Sequence, residues 1–170
     1  RLYLRSIVEC FITLRYLCKN NDNALWLAYR KYGAGQAKLV MLKFDEIGCY
    51  PHYVNEKIIK MNANQDCWQE FIPIQIGNWE KTTLRGMSEK TDTKIEYDLY
   101  YSWASGFVHG MWGAVNESVY DVCANPLHRF HNIPKTESTE LNDVVPDVVY
   151  LLNKILDDVD AIYPSFKYRL

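Results

Sequence analysis

Between residues 2 and 18, Leu4, Ile7, Val8, Phe11, Leu14 and Cys18 recur at helical spacing, while Arg1, Arg5, Glu9 and Tyr16 fall toward another side. That period predicts an amphipathic first helix. The run Asn20-Asn21-Asp22-Asn23 then offers short polar side chains that compete for backbone hydrogen bonds, so a second helix is expected from about Ala24. Its stripe is Leu25, Tyr29, Tyr32, Gln36, Leu39, Val40, Lys43 or Phe44, and Ile47, and Gly48 with Pro51 should end it. A third helix is expected over 53–68, with Val54, Ile58 and Met61 inward. Residues 71–79 partly alternate and carry Pro73 and Gly77, which reads as a short extended arm lying over the helices. A long helix follows at 94–120, with Tyr97, Tyr101, Ala104, Val108 and Met111 on its apolar side. Gly106, Gly110 and Gly113 weaken it by about 1 kcal/mol each. Residues 123–145, with two prolines and two histidines, read as a long ordered loop, and a last helix runs from Pro146 until Pro164 stops it.

The stripes define an all-α fold, a bundle of four to five main helices with a short extended arm and a long ordered loop. At 170 residues the chain fits one helical domain, 1–170. Because the first residue is Arg1 and a periodic apolar segment is already under way at Leu2, a fragment of a longer protein is expected.

Composition adds a constraint on partners. Nineteen basic residues against 21 acidic ones give a formal charge of −2, so there is no overall attraction to nucleic acid or to an anionic membrane. Thirteen Tyr, six Phe and five Trp suit either a core with polar pockets or a wide contact surface. Five cysteines, odd in number and widely spaced, point to a reducing cytoplasm rather than a secreted disulfide framework. No apolar run approaches the length of a membrane span, and no signal peptide is visible.

Candidate chemistry is sparse. Arg5 and Glu9 stand at i and i+4 and can pair on the first helix. His109 lies among glycines, with Ser102 and Ser105 earlier on about the same face, where an imidazole serves either as a general base or as a satisfied core residue. Arg5, Glu9, Ser102 and His109 are therefore the candidate site residues. Cys123, His128 and His131 are weighed as three metal ligands and set aside, since their spacing is not that of a zinc finger and no fourth ligand is evident. No metal and no cofactor are expected. Asp157, Asp158 and Asp160 read as solvated charge. There is no phosphate loop, dinucleotide fingerprint or His-Glu-x-x-His pair.

Three stretches, Arg5-Ser6-Ile7-Val8-Glu9, Ser102 through His109-Gly110, and Asn125-Pro126-Leu127-His128-Arg129-Phe130-His131-Asn132-Ile133-Pro134, resemble the helical DUF5677 family. The resemblance implies a helical domain found mainly in bacterial and phage-defence settings, and no particular reaction. Some proteins of this general kind are similar to HEPN ribonucleases, in which an Arg and a His four to six residues apart on one helix cut RNA without metal. Here no Arg stands four to seven places before His109. The leading expectation is a sensing or protein-interaction domain with a protein partner or self-association, and whether it is catalytic stays open. The alternative is a metal-independent, HEPN-like endoribonuclease acting on RNA, with His109 as acid or base and Arg5 stabilising phosphate charge.

Overall fold

The computed structural model of the chain describes residues 1–63, 78–129, 131–137 and 144–166. Two compact units are distinguished, one formed by residues 1–19 with 84–170 and the other by residues 20–83. Among the described residues, the helices are α1 (Leu2–Asn20), α2 (Asn23–Ile47), α3 (Glu56–Ala63), α4 (Leu84–Lys90), α5 (Lys94–Glu96), α6 (Ser102–Val108), α7 (Trp112–Val119) and α8 (Val144–Ile162). A π-helical turn, Tyr97–Tyr101, joins α5 to α6. Strands β1 (Tyr120–Val122) and β2 (Asn132–Pro134) form an antiparallel ribbon with Tyr120 opposite Pro134 and Val122 opposite Asn132.

The first unit is built on α1. Val8, Phe11, Ile12 and Leu17 are buried together with Met87 of α4 and Leu151 of α8. Tyr16, expected on the outer side of α1, is buried as well. Along α8 the buried positions are Leu151 and Asp158, while Leu152 and Leu156 are half-buried. Asp158 is consequently not solvated charge. Its carboxylate accepts from Arg15 Nε at 2.7 Å, as a buried carboxylate requires.

In the second unit the sequence signals at both ends of α2 hold. Asp22 accepts from the Ala24 amide at 2.8 Å, and Gly48 adopts the left-handed conformation at φ 71°. The Gly48 and Cys49 amides bond back to Asp45 and Phe44, the paired closure of a Schellman end. Small residues, Ala34 and Gly35, form the buried part of α2, whereas Val40 and Ile47 of its expected stripe are exposed. The start of α3 is set by Asn55, whose side chain accepts from the Ile58 amide. Residues 64–68 of the expected third helix and residues 71–77 of the expected arm lie outside the described residues.

The expectation of four to five helices with one extended arm is corrected: seven main helices are present among the described residues, with α5 a single turn, and the short strands lie elsewhere, in the ribbon. Two local causes account for this. Helix α4 has seven residues, too few to show a period. The helix expected over 94–120 is divided at His109, because Gly110 takes φ +60° and the chain reverses before α7. Met111 donates to the Gly106 carbonyl at 2.9 Å, closing α6, and its own carbonyl accepts from Val115 to open α7. The all-helical character stands. Among the described residues, no helix is long and apolar enough to cross a membrane.

Candidate functional site

Two places in the first unit gather chemistry. At the first, the regular spacing of α1 sets Arg5 beside Glu9, with Arg5 Nη1 3.3 Å from Glu9 Oε2. The π turn supplies the other partner: Arg5 Nη2 donates to the Tyr101 hydroxyl at 3.1 Å, and the guanidinium lies 4.9 Å from the centre of that ring. Tyr97 stacks on Tyr101 from within the same turn, 5.0 Å between ring centres. An extra residue in a helical turn rotates the side chains beyond it about the axis, so the turn decides which aromatic ring faces α1. Arg5 Nε is buried and has no hydrogen-bond partner among the described residues.

Ser102 and His109 do not join this cluster. Both are exposed, Ser102 at the start of α6 and His109 at its end, where the His109 amide bonds to the Ser105 carbonyl. No hydrogen bond or ion pair among the described residues links either of them to Arg5 or Glu9. Of the four expected site residues, the structure thus unites Arg5 with Glu9 and leaves Ser102 and His109 apart. Tyr101 is the member that sequence reasoning assigned to the apolar stripe instead. Nearby, Arg1 lies over the Phe107 ring at 4.3 Å and pairs with Glu117.

The second place is the ribbon. The Cys123 amide donates to the His131 carbonyl at 3.0 Å, extending the β1–β2 register by one pair and setting Cys123 opposite His131. Between them, Asn125 accepts from the Leu127 amide and caps a 3-10 turn at Pro126–His128, and Arg129 reverses the chain at φ 52°. That turn folds His128 back, so that its Nδ1 lies 3.5 Å from Cys123 Sγ. Ligand atoms of Cys123, His128 and His131 all come within 4.8 Å of one another. The zinc-finger spacing absent from the sequence is not needed for this, because the capped turn shortens the path. The ribbon is tied to α7 by Asn132 Nδ2 donating to Asn116 Oδ1 at 2.8 Å and by Lys135 Nζ donating to the Glu117 carbonyl.

Among the described residues, the other thiols do not add to a site. Burial, and then the neighbouring Asp158 carboxylate, push the Cys18 thiol up, which keeps it protonated and unreactive. Cys10 and Cys49 are exposed free thiols.

An apolar surface lies on α6, α7 and the turn that joins them. Trp103 of α6, Met111 of the connecting turn and Trp112 of α7 are 55%, 59% and 68% exposed. Trp103 packs over the start of α7, where a methyl placed on Gly113 would lie 3.5 Å from its ring. Beside them, Phe107, Gly110, Ala114, Val115 and Val119 line a cavity of about 160 Å³.

No curated protein and no solved structure matches the chain. A family model does match, over residues 1–121, and its description is a family of unknown function, DUF5677. The match takes in the Arg5 to Glu9 and Ser102 to Gly110 stretches and stops short of the Cys/His cluster. With 121 of its 170 residues covered, the chain belongs to the DUF5677 family.

Proposed function

We propose that this chain is a protein-interaction domain that self-associates through the outer face of α6 and α7. The observation that carries the reading is the exposure of Trp103, Met111 and Trp112 on one helical hairpin. Trp supplies a large share of binding energy where it is buried in a partner, and large apolar patches on a free surface mark contact sites. On α7, Trp112, Val115 and Val119 follow one another at i, i+3 and i+7, so they make a single stripe. Projecting Met111 and Trp112 adjoin the cavity lined by Phe107, Val115 and Val119. A two-fold interface needs knob and hole on the same patch. A formal charge of −2 adds little repulsion between two copies.

Sedimentation equilibrium tests this reading. The wild-type mass is expected to rise with concentration from 20.0 kDa toward twice that value, and Trp112→Glu is expected to remain monomeric. A wild-type chain that stays monomeric, or a substituted chain that associates equally well, overturns the reading.

A metal-independent endoribonuclease has one observation on its side, the buried Arg5 Nε that lacks a hydrogen-bond partner among the described residues. Its test is incubation of wild-type and His109→Ala protein with mixed structured RNAs in the absence of metal. Cleavage that the substitution abolishes supports it, and equal or absent cleavage removes it. A cytoplasmic setting belongs to the proposal too, supported by the free thiols of Cys10, Cys18, Cys49 and Cys123. A part in bacterial defence rests on the family resemblance alone.

A further inference from the structure

We infer that Cys123, His128 and His131 form a mononuclear binding site for a borderline-soft divalent cation of the Zn²⁺ type, with one coordination position left open. Three independent features lead there. The first is the donor set, since one thiolate and two imidazoles select zinc-like ions over Mg²⁺ or Ca²⁺, which demand oxygen. The second is distance. Zn–S and Zn–N bonds of usual length in a tetrahedron put neighbouring ligand atoms about 3.3–3.6 Å apart, and Cys123 Sγ lies 3.5 Å from His128 Nδ1. All three ligand atoms lie within 4.8 Å of one another, so closing the set on one ion asks for an inward movement of about 1 Å. The third is support around the ligands. Asn125 Oδ1 accepts from the Leu127 amide at 3.0 Å and so fixes the 3-10 turn that carries His128. The Cys123 to His131 backbone bond holds the two ends of the loop together before any ion arrives.

The site is local: its ligands span nine positions from Cys123 to His131, so binding orders one short loop. His128 and His131 are exposed and Cys123 is half-buried, which leaves an entry path from solvent. No fourth Cys, His, Asp or Glu joins the group among the described residues. Three protein ligands with an open fourth position are the arrangement of reactive or shared zinc sites rather than of closed structural ones.

Titration of the purified, metal-free chain with Zn²⁺ alone, followed by a competing chelator dye, tests the inference, and Co²⁺ gives a second readout. Wild type is expected to take up one Zn²⁺ per chain and, with Co²⁺, to show thiolate-to-metal charge transfer with tetrahedral d–d bands. Cys123→Ser is expected to abolish the charge-transfer band, and His128→Ala to weaken Zn²⁺ binding at least tenfold. Cys49→Ser, a change at another exposed thiol, should leave both unchanged. The ligands lie between β1 and β2 and outside helices α1 to α8, so far-ultraviolet circular dichroism is expected to be the same for every variant. Binding that survives Cys123→Ser, or a Co²⁺ spectrum without charge transfer in wild type, overturns the site.

Discussion

Glu96 is a buried carboxylate with three kinds of support. Burial opposes its ionisation, but the bond from Lys154 Nζ at 2.5 Å, a backbone hydrogen bond and the Tyr150 hydroxyl at 3.0 Å outweigh it, holding the carboxyl below its ordinary value of 4.5. A depressed acid stabilises the fold above its unfolded value and loses that contribution as pH falls through the folded one. Glu96→Gln is therefore expected to cost about 1–3 kcal/mol near neutral pH. The difference from wild type should shrink below about pH 4.5, as urea unfolding across a pH series would show. A difference constant with pH would contradict this role. Asp158 works the other way: burial raises its value despite Arg15 at 2.7 Å, so its net contribution weakens the fold as pH rises through the acid range.

Among the elements, the α6–α7 hairpin shows most clearly what a glycine does. Gly110 at φ +60° requires a left-handed residue, which L side chains resist. Gly106 and Gly113 do not: a methyl at either meets its neighbours only at 3.5–3.8 Å, ordinary contact. Thermal unfolding should separate them. Gly110→Ala is expected to destabilise by about 1–2 kcal/mol, and Gly106→Ala to be neutral or stabilising by up to about 1 kcal/mol. The reverse order would mean the hairpin turns for another reason. In the sequence these three glycines look alike, which is why the division at His109 was not legible, whereas Gly48 and Pro164 stood at the ends of periodic runs and marked α2 and α8 correctly. Strands of three residues carry no alternation to read. The Arg5 to Glu9 pair was legible because it obeys helical spacing. Its third member, Tyr101, was hidden by a π turn that no side-chain pattern announced. The Cys/His cluster was hidden for a similar reason, since it depends on a capped 3-10 turn and a left-handed Arg129.

For the whole molecule, an overall hydrophobic content of 48% and aromatic side chains at the surface belong together. The fold encloses Phe11, Ile12, Leu17, Met87 and Leu151, yet leaves Trp103 and Trp112 more than half exposed. Burying such a patch between two copies gains roughly 25 cal/mol for each Å² of apolar surface removed from water, offset by the lost freedom of two bodies. An association of modest strength is the expected balance. Hydroxyl-radical footprinting at low and high protein concentration reads that face directly, because Trp and Met are oxidised where they meet solvent. Trp103, Met111 and Trp112 are expected to lose labelling together as concentration rises. Equal labelling of all three at both concentrations, or protection that falls elsewhere and leaves them unchanged, would contradict self-association through α6 and α7.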